Sequence, residues 1–215
     1  LWKEHGVSLK SPFQRLRDYV HIIRESVTHG KVSYEEGVAM APNLEFRIPL
    51  PDKPAPIYLA ALMPKMARLA GEIADGVLFN MGTPEYLSEA IRGVKDAAIE
   101  AGRDPAQVDI AYLVLTGIGS SGEELCARMI ARYLRLPFYE ELLCQSGFAV
   151  DVNKVKMAMA SGGSRKAGLA VSERMLDALA IVGDTSDWWA KIERLKRAGV
   201  TLVCPYFWPH GEDAR

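Results

Sequence analysis

The sequence predicts an α/β protein whose strands form a parallel sheet. The segment 57–61 is a short apolar run that does not alternate with polar residues, which is typical of a strand buried on both faces. Further apolar runs at 77–80, 108–118 and 201–207 predict three more strands. Segments with helical signals separate these runs, and the alternation of strands with helices indicates βαβ units. Such units form either a barrel or a doubly wound sheet.

The first helix is predicted to start at Ser11 and Pro12 and to end near Gly30. A hydroxyl side chain at the N-cap and a proline at the first helical position are both typical of a helix start. Apolar residues between these limits recur at three- and four-residue steps and predict one buried face. These residues are Phe13, Leu16, Val20, Ile23 and Val27.

Three later helices have equally clear boundary signals. Pro64 opens the first of them. The second starts at Thr83, a favourable N-cap, and is followed by Gly102, which suits a left-handed C-cap. Asp184 caps the third helix, and Gly199 stops it.

Two insertions interrupt this pattern within a single domain, residues 1–215. Residues 31–56 are predicted to form a hairpin-like insertion and a stiff connector, because prolines interrupt the β-type stretches 31–34 and 44–48. Residues 120–177 are mostly helical in composition, and we expect no strand there.

Charge and cysteine content disfavour several classes of partner and site. The 26 basic and 27 acidic residues form no long run of one sign, so neither nucleic acid nor a membrane surface is favoured. The cysteines Cys126, Cys144 and Cys204 lack CxxC spacing, so we expect free or buried thiols and no metal site. No apolar run approaches the ~20 residues of a membrane helix. We therefore expect a cytoplasmic protein.

Residues 56–78 resemble a signature of the luciferase-like monooxygenase superfamily. Positions 56–66 read PIYLAALMPKM, and positions 69–78 read LAGEIADGVL. In that family a strand P-I-Y-x-A-A leads through a small-residue turn into a helix that ends A-G-x-x-A-D-G. Further pieces follow in the family's order, namely HGV at 5–7, FQRLRDYV at 13–20, AGRDP at 101–105 and AGV at 198–200. The deazaflavin-dependent branch, related to methylenetetrahydromethanopterin reductase, is the most similar.

This resemblance implies an α/β fold that is the C-terminal half of a (βα)8 TIM-type barrel. The four predicted strands would be the fifth to eighth of the barrel, and the first four would precede Leu1. The implied function is an oxidoreductase that transfers a hydride between deazaflavin coenzyme F-420 and a small organic substrate. Two alternatives stay open: an FMN-dependent luciferase-like monooxygenase, and a non-catalytic barrel relative that serves as a subunit or scaffold.

The cofactor is expected at the C-terminal ends of the strands, where barrel enzymes carry their sites. After the first strand, the helix start supplies amides without internal partners, which favour a phosphate. Family members hold the cofactor's phosphate at this turn, commonly with glycine where Leu62 or Met63 stands. A tight turn without a ligand is the alternative, and Thr83 is interpreted as a structural cap. The cofactor-binding candidates are Ala60, Ala61, Leu62, Met63, Pro64, Asn80, Met81 and Gly82.

The substrate pocket is predicted from side chains that follow the other strands. The aromatic residues at the end of the last strand would line a pocket for a flavin-sized ring or an apolar substrate, or else pack as a chain terminus onto the barrel rim. The candidates are His5, Thr116, Tyr206, Phe207 and Trp208. The alternative for His5 is that it lies in a solvated loop. The alternative for Thr116 is that its hydroxyl bonds to its own backbone. No catalytic residue is assigned, which suits a reaction carried by the cofactor.

Two expectations concern surfaces. We expect a homodimer, with Trp188 and Trp189 serving either the core or the interface. Because four strands cannot close a barrel, we also expect an inner sheet face that this chain alone leaves uncovered. The residues assigned to that face are Ile57, Leu59, Val77 and Phe79.

Overall fold

The structure, a computed structural model, describes residues 10–207 apart from the side chain of Thr185. In chain order the strands are β1 (Lys31–Tyr34), β2 (Ala41–Glu45), β3 (Tyr58–Ala60), β4 (Gly76–Asn80), β5 (Asp109–Thr116), β6 (Ala180–Ile181) and β7 (Leu202–Phe207). The helices are α1 (Pro12–His29), α2 (Pro64–Ile73), α3 (Pro84–Glu100), α4 (Gly119–Tyr133), α5 (Pro137–Leu143), α6 (Ala149–Leu169), α7 (Glu173–Leu179) and α8 (Thr185–Arg197). Within this range, no helix is both long and apolar enough to cross a membrane.

The predicted parallel sheet is confirmed. Strands β3, β4, β5 and β7 lie side by side in chain order, and every pair is parallel. The short strand β6 pairs with the last two residues of β5. Because β7 pairs with the same two residues, β6 must lie on the opposite edge of β5, beside the end of β4. The sequence did not predict β6, since two residues are too few for a periodic signal.

Helices α2 and α3 cover one face of this sheet. The strand residues on this face are fully buried among the apolar residues of both helices. They include Leu59, Val77, Phe79, Ile110 and Tyr112. Burying one such side chain contributes about 1.5–3 kcal/mol, so this layer is the principal apolar core of the sheet.

The assignment of Leu59, Val77 and Phe79 to an uncovered inner face is therefore wrong, and Ile57 also packs against this core. Side chains alternate between the two faces of a strand, so an error of one residue moves a whole set to the other face. The opposite face carries the residues between them. Of these, Tyr58 and Leu78 are half-buried, and Ala60 is exposed.

The residues of the A-G-x-x-A-D-G motif hold the helices and strands together. A Cβ atom at Gly71 would collide with the carbonyl of Val94 in α3, so the glycine permits the close approach of α2 and α3. Arg103 donates hydrogen bonds to the carbonyls of Gly71 (2.5 Å) and Ala74 (2.6 Å) at the end of α2. These are carbonyls that a helix C-terminus leaves without internal partners. The motif is therefore a packing motif.

Helix α1 departs from its predicted details. It starts at Pro12 and stops at Gly30, as predicted, but Ser11 adopts a left-handed conformation and its hydroxyl makes no cap hydrogen bond. Phe13 and Ile23, assigned to the buried face, are exposed. The buried face instead includes the polar Asp18, a residue that apolar periodicity could not identify.

Asp18 anchors the hairpin formed by β1 and β2. Its carboxylate accepts hydrogen bonds from the amide of Ala39 (2.9 Å), the hydroxyl of Tyr34 (3.0 Å) and the side chain of Gln14 (2.8 Å). The bond from the Ala39 amide is the main reason that the pKa of Asp18 lies below its usual value, although burial opposes the shift. The hairpin itself is confirmed, but β2 spans 41–45 rather than 44–48.

The segment 119–179 forms a second apolar core at the end of the sheet. As predicted, residues 120–177 contain helices and, within the part described, no strand. Helices α4, α6 and α7 bury residues such as Ile130, Val155 and Met175 against Met81 and Leu115. Since Met81 follows β4 and Leu115 lies near the end of β5, the helical segment rests on the C-terminal edge of the sheet.

Replacing Gly71 with alanine is expected to destabilise the fold by about 1–3 kcal/mol, because the added methyl group overpacks the contact between α2 and α3. Gly93→Ala is the matched control, since that glycine is also helical and an added Cβ would meet only the Arg68 side chain, at 3.8 Å. Alanine should stabilise this second position slightly. Urea denaturation of both variants measures the difference, and equal stabilities would contradict the packing role.

Asp18→Asn is expected to destabilise the protein at neutral pH by about 1.5–3 kcal/mol, the usual contribution of hydrogen bonds to a charged group. The folded-state pKa of Asp18 is lowered, so the charged form stabilises the fold above the unfolded pKa of about 3.9. That contribution is lost as pH falls through the lower folded-state value. Melting curves from neutral to acidic pH should show this loss in the wild type but not in the variant.

The exposed Asp52 offers a control for this measurement. Asp52→Asn should leave the wild-type pH profile unchanged. An Asp18→Asn variant that loses stability in acid as steeply as the wild type would refute the role assigned to Asp18.

Candidate functional site

The carboxyl ends of the parallel strands meet at one edge of the sheet. Asn80 and Thr116 are the last residues of β4 and β5, and Phe207 is the last residue of β7. Thr116 and Phe207 are direct partners in the pairing register. The candidate residues at 60–64 and 80–82 follow β3 and β4 at the same edge. His5 and Trp208 lie outside the described residues.

The turn between β3 and α2 presents free backbone amides. The amide of Ala61 still pairs with the sheet, donating to Leu78 at 3.0 Å. The Met63 carbonyl accepts from Met66 (3.0 Å) and Ala67 (3.1 Å), which begins α2. Among residues 10–207, the amides of Leu62 and Met63 donate to no protein group. Since Pro64 has no amide hydrogen, this pair forms a donor surface directly before the helix.

The turn between β4 and α3 is strained and well anchored. Met81 has a positive φ of 58°, which is uncommon for a residue other than glycine. Its side chain is buried in the second core, and the carbonyl of Gly82 accepts a hydrogen bond of 2.9 Å from the Tyr112 hydroxyl. Thr83 accepts from the amide of Tyr86 at 3.2 Å, which confirms it as the N-cap of α3.

Tyr86 links the two turns. Its hydroxyl donates to the carbonyl of Leu62, so α3 holds the turn that carries the free amides. Burial and, less strongly, Glu89 raise the pKa of Tyr86 to about 12, and the phenol is therefore a neutral donor at physiological pH. This residue was not predicted from the sequence, because a tyrosine in the first turn of a helix gives no signal of a distant partner.

Asn80 meets a side chain from the helical segment. Its amide nitrogen lies 3.5 Å from the hydroxyl of Tyr139 in α5. The Tyr139 ring contacts Tyr133 edge-on, with centroids 4.9 Å apart. Tyr139 was also absent from the predicted site, since nothing in the sequence places α5 beside the end of β4.

The predicted substrate-pocket residues differ in their surroundings. Thr116 is buried, and its hydroxyl donates to the Val114 carbonyl at 3.0 Å. This agrees with the alternative in which the hydroxyl bonds to the backbone of its own strand. Tyr206 packs against the second core. Phe207 is 51% exposed, and its ring centroid lies 5.9 Å from that of Trp188. Of the adjacent tryptophans, Trp188 is a core residue and Trp189 is exposed.

A cavity of about 840 Å³ is lined by residues of α2, α3, α7 and α8, and its lining includes Pro64, Thr83 and Tyr86 from the two turns. Its charged lining contains both signs: Arg68, Arg92, Arg174 and Arg194 face Glu85, Glu89, Asp96 and Asp177. It therefore does not favour an anionic or a cationic ligand. Within the described part of the chain, no group of His, Cys, Asp and Glu side chains could hold a metal ion.

Curated relatives match nearly the whole chain. The 5,10-methylenetetrahydromethanopterin reductase of Methanopyrus kandleri is 27% identical over 209 residues, which cover 94% of this chain and 59% of the relative. The corresponding reductase of Archaeoglobus fulgidus is 29% identical over 210 residues, covering 92% and 61%. This chain thus spans about three fifths of the length of the curated relatives it matches.

Solved structures give the same picture of the fold. The coenzyme F-420 dependent tetrahydromethanopterin reductase of Methanopyrus kandleri superposes with a TM-score of 0.75 and 26% identity, covering 94% of this chain and 59% of that one. An F-420-dependent secondary alcohol dehydrogenase gives a TM-score of 0.64 at 19% identity, which supports the fold alone. The sequence profile described as luciferase-like monooxygenase matches residues 2–202. With this extent of agreement, the chain belongs to the luciferase-like monooxygenase family.

Proposed function

We propose that the chain is part of an oxidoreductase that transfers a hydride between coenzyme F-420 and a small organic substrate. The free amides of Leu62 and Met63, at the carboxyl edge of the sheet, are the observation that carries the proposal. The names of the reductases from Methanopyrus kandleri and Archaeoglobus fulgidus support the choice of reaction. They also make a tetrahydromethanopterin derivative the first substrate to test.

The residues at the start of α2 fit the phosphate of such a cofactor. Two amide hydrogens and the positive end of the helix dipole favour an anion at this position. Leu62 and Met63 stand where the family commonly has glycine, but their amides remain without protein partners. The hydrogen bond from Tyr86 to the Leu62 carbonyl fixes the orientation of the turn. These contacts would be formed before the ligand arrives, which lowers the cost of ordering the turn.

The protein's part in the reaction would be binding and orientation. When bound, F-420 supplies the hydride chemistry. Two side chains at the turns are neutral: Asn80 is an amide, and the phenol of Tyr86 keeps its proton at physiological pH. Asn80 would hold a ring by hydrogen bonds and contact, whereas the Tyr86 hydroxyl is engaged with the Leu62 carbonyl.

A second candidate is an FMN-dependent monooxygenase. The family description itself names monooxygenases. The same amide pair would accept the phosphate of FMN, so the turn does not separate the two cofactors. A barrel relative without catalytic activity, acting as a subunit or scaffold, is the third outcome that a binding experiment distinguishes.

We also propose that the sheet is half of an eight-stranded barrel. The exposure of Ala60 and Leu202 on the face away from α2 and α3 supports this proposal. The greater length of the relatives supports it as well. Closing the barrel would pair the sheet edges and bury the half-covered face. The other four strands would then come from another part of the same polypeptide or from a second half-barrel.

Met63→Pro is expected to weaken F-420 binding about tenfold to a hundredfold, because it removes one donor to a charged group. Met63→Ala keeps the amide and is the matched control, with an expected affinity close to that of the wild type. Fluorescence titration with F-420 measures both dissociation constants, and melting temperatures report any strain from the proline. Equal affinities of the proline variant and the wild type would exclude the amide as a phosphate donor.

The wild-type titration also separates the candidate functions. Binding of F-420 supports the proposal, whereas binding of FMN alone would favour the monooxygenase. A protein that binds neither cofactor would favour the non-catalytic relative.

A homodimer is the expected assembly. Trp189 is 61% exposed on α8, and a large exposed aromatic side chain favours an interface. Light scattering should give twice the mass of the chain, 23.7 kDa, and Trp189→Glu should shift the mass toward that of the monomer. A monomeric wild type at high concentration would refute the dimer, and a dimer unaffected by Trp189→Glu would place the interface elsewhere.

A further inference from the structure

The contact between Asn80 and Tyr139 brings two polar groups to the edge of the sheet. Asn80 ends β4 on the face away from the α2 and α3 core, since side chains alternate and Phe79 faces that core. Tyr139 comes from α5, in the helical segment. Both side chains are half-buried. They lie beside the turns at 60–64 and 80–82, where the cofactor is proposed to bind.

Each group keeps an unused hydrogen-bonding capacity. The Asn80 nitrogen approaches the Tyr139 oxygen at 3.5 Å, which is at the long limit for a hydrogen bond. Among residues 10–207, the Tyr139 hydroxyl hydrogen has no acceptor and the Asn80 carbonyl oxygen has no donor. One free donor and one free acceptor therefore lie side by side. Because the contact between them is long, little energy opposes its exchange for a ligand.

The phenol is held in place and stays protonated. The rings of Tyr133 and Phe138 contact the Tyr139 ring at centroid distances of 4.9 Å and 5.8 Å. Burial is the main cause that raises the pKa of Tyr139 above its ordinary value. The hydroxyl is therefore a donor at neutral pH, and the two neighbouring rings pack against the ring that carries it.

We propose that Asn80 and Tyr139 form a recognition pair for a cyclic amide or imide. The ligand carbonyl would accept from the Tyr139 hydroxyl, and the adjacent ligand N–H would donate to the Asn80 carbonyl oxygen. This inference rests on the proposed function. Two molecules in that reaction carry the required group, the pyrimidinedione ring of the deazaflavin and the pterin ring of a tetrahydromethanopterin substrate.

The test compares ligand affinities of Tyr139→Phe and the wild type. The probes are F-420 and tetrahydromethanopterin, and each dissociation constant is measured by titration without turnover. Loss of one hydrogen bond worth about 1 kcal/mol should weaken binding of the recognised probe about fivefold. Asn80→Ala should give a similar loss, and because the two side chains make separate hydrogen bonds to the ligand, the double variant should lose about as much as the two single variants combined. Tyr19→Phe, which removes an exposed hydroxyl on α1, is the control and should bind as the wild type does.

The outcomes distinguish the two sources of the ligand group. A loss confined to F-420 assigns the pair to the cofactor, and a loss confined to tetrahydromethanopterin assigns it to the substrate. If the wild type binds both probes and a folded Tyr139→Phe variant binds them with the same affinity, the recognition pair is refuted while the proposed function stands. A wild type that binds neither probe overturns the proposed function, and the pair with it.

Discussion

Four elements converge on the carboxylate and backbone of Asp75. One carboxylate oxygen accepts from the amide of Ile57 at 2.8 Å, just before β3, and the guanidinium of Arg24 in α1 pairs with the group at 3.0 Å. The Asp75 carbonyl accepts from the amide of Asp109, where β5 begins, at 3.0 Å. Asp75 itself precedes β4. One residue thus fixes the starting points of three neighbouring strands and the position of α1. The register of the strands at the opposite, carboxyl edge of the sheet depends on those starting points.

The sequence predicts this framework well where the physical signal is local. Apolar runs and helix stop signals are properties of a few adjacent residues, so β3, β4, β5, β7 and the end of α1 at Gly30 lie close to their predicted limits. The sheet face on which each strand residue lies could not be predicted, because a run such as 57–61 is apolar at every position and shows no alternation with polar residues. The burial of Asp18 was not predicted, because the hydrogen-bond donors that stabilise its carboxylate lie 16 and 21 residues away in the sequence.

The candidate site likewise contains residues that could be predicted from the sequence and residues that could not. Parallel strands have their carboxyl ends at the same edge of a sheet, so the edge containing 60–64 and 80–82 could be predicted from the order of the strands alone. Tyr86 and Tyr139 could not, because each reaches the edge through tertiary packing of a helix. The carboxyl edge of the sheet thus presents free backbone amides, and the neutral phenols of two tyrosines contact it. The family relationship is shown by the match over residues 2–202, and the ligands of this edge remain proposals.

The buried Met81 has a consequence for mechanics. A left-handed backbone costs about 1–3 kcal/mol at a residue other than glycine, whereas losing a buried methionine side chain costs about 2–5 kcal/mol. The side chain, anchored in the core beneath α4, α6 and α7, therefore holds the backbone in its strained shape. Any sliding of those helices would be transmitted through this thioether to the peptide groups at the end of β4. The helical segment and the strand edge thus form one mechanical unit, in which displacement of the former alters the geometry of the latter.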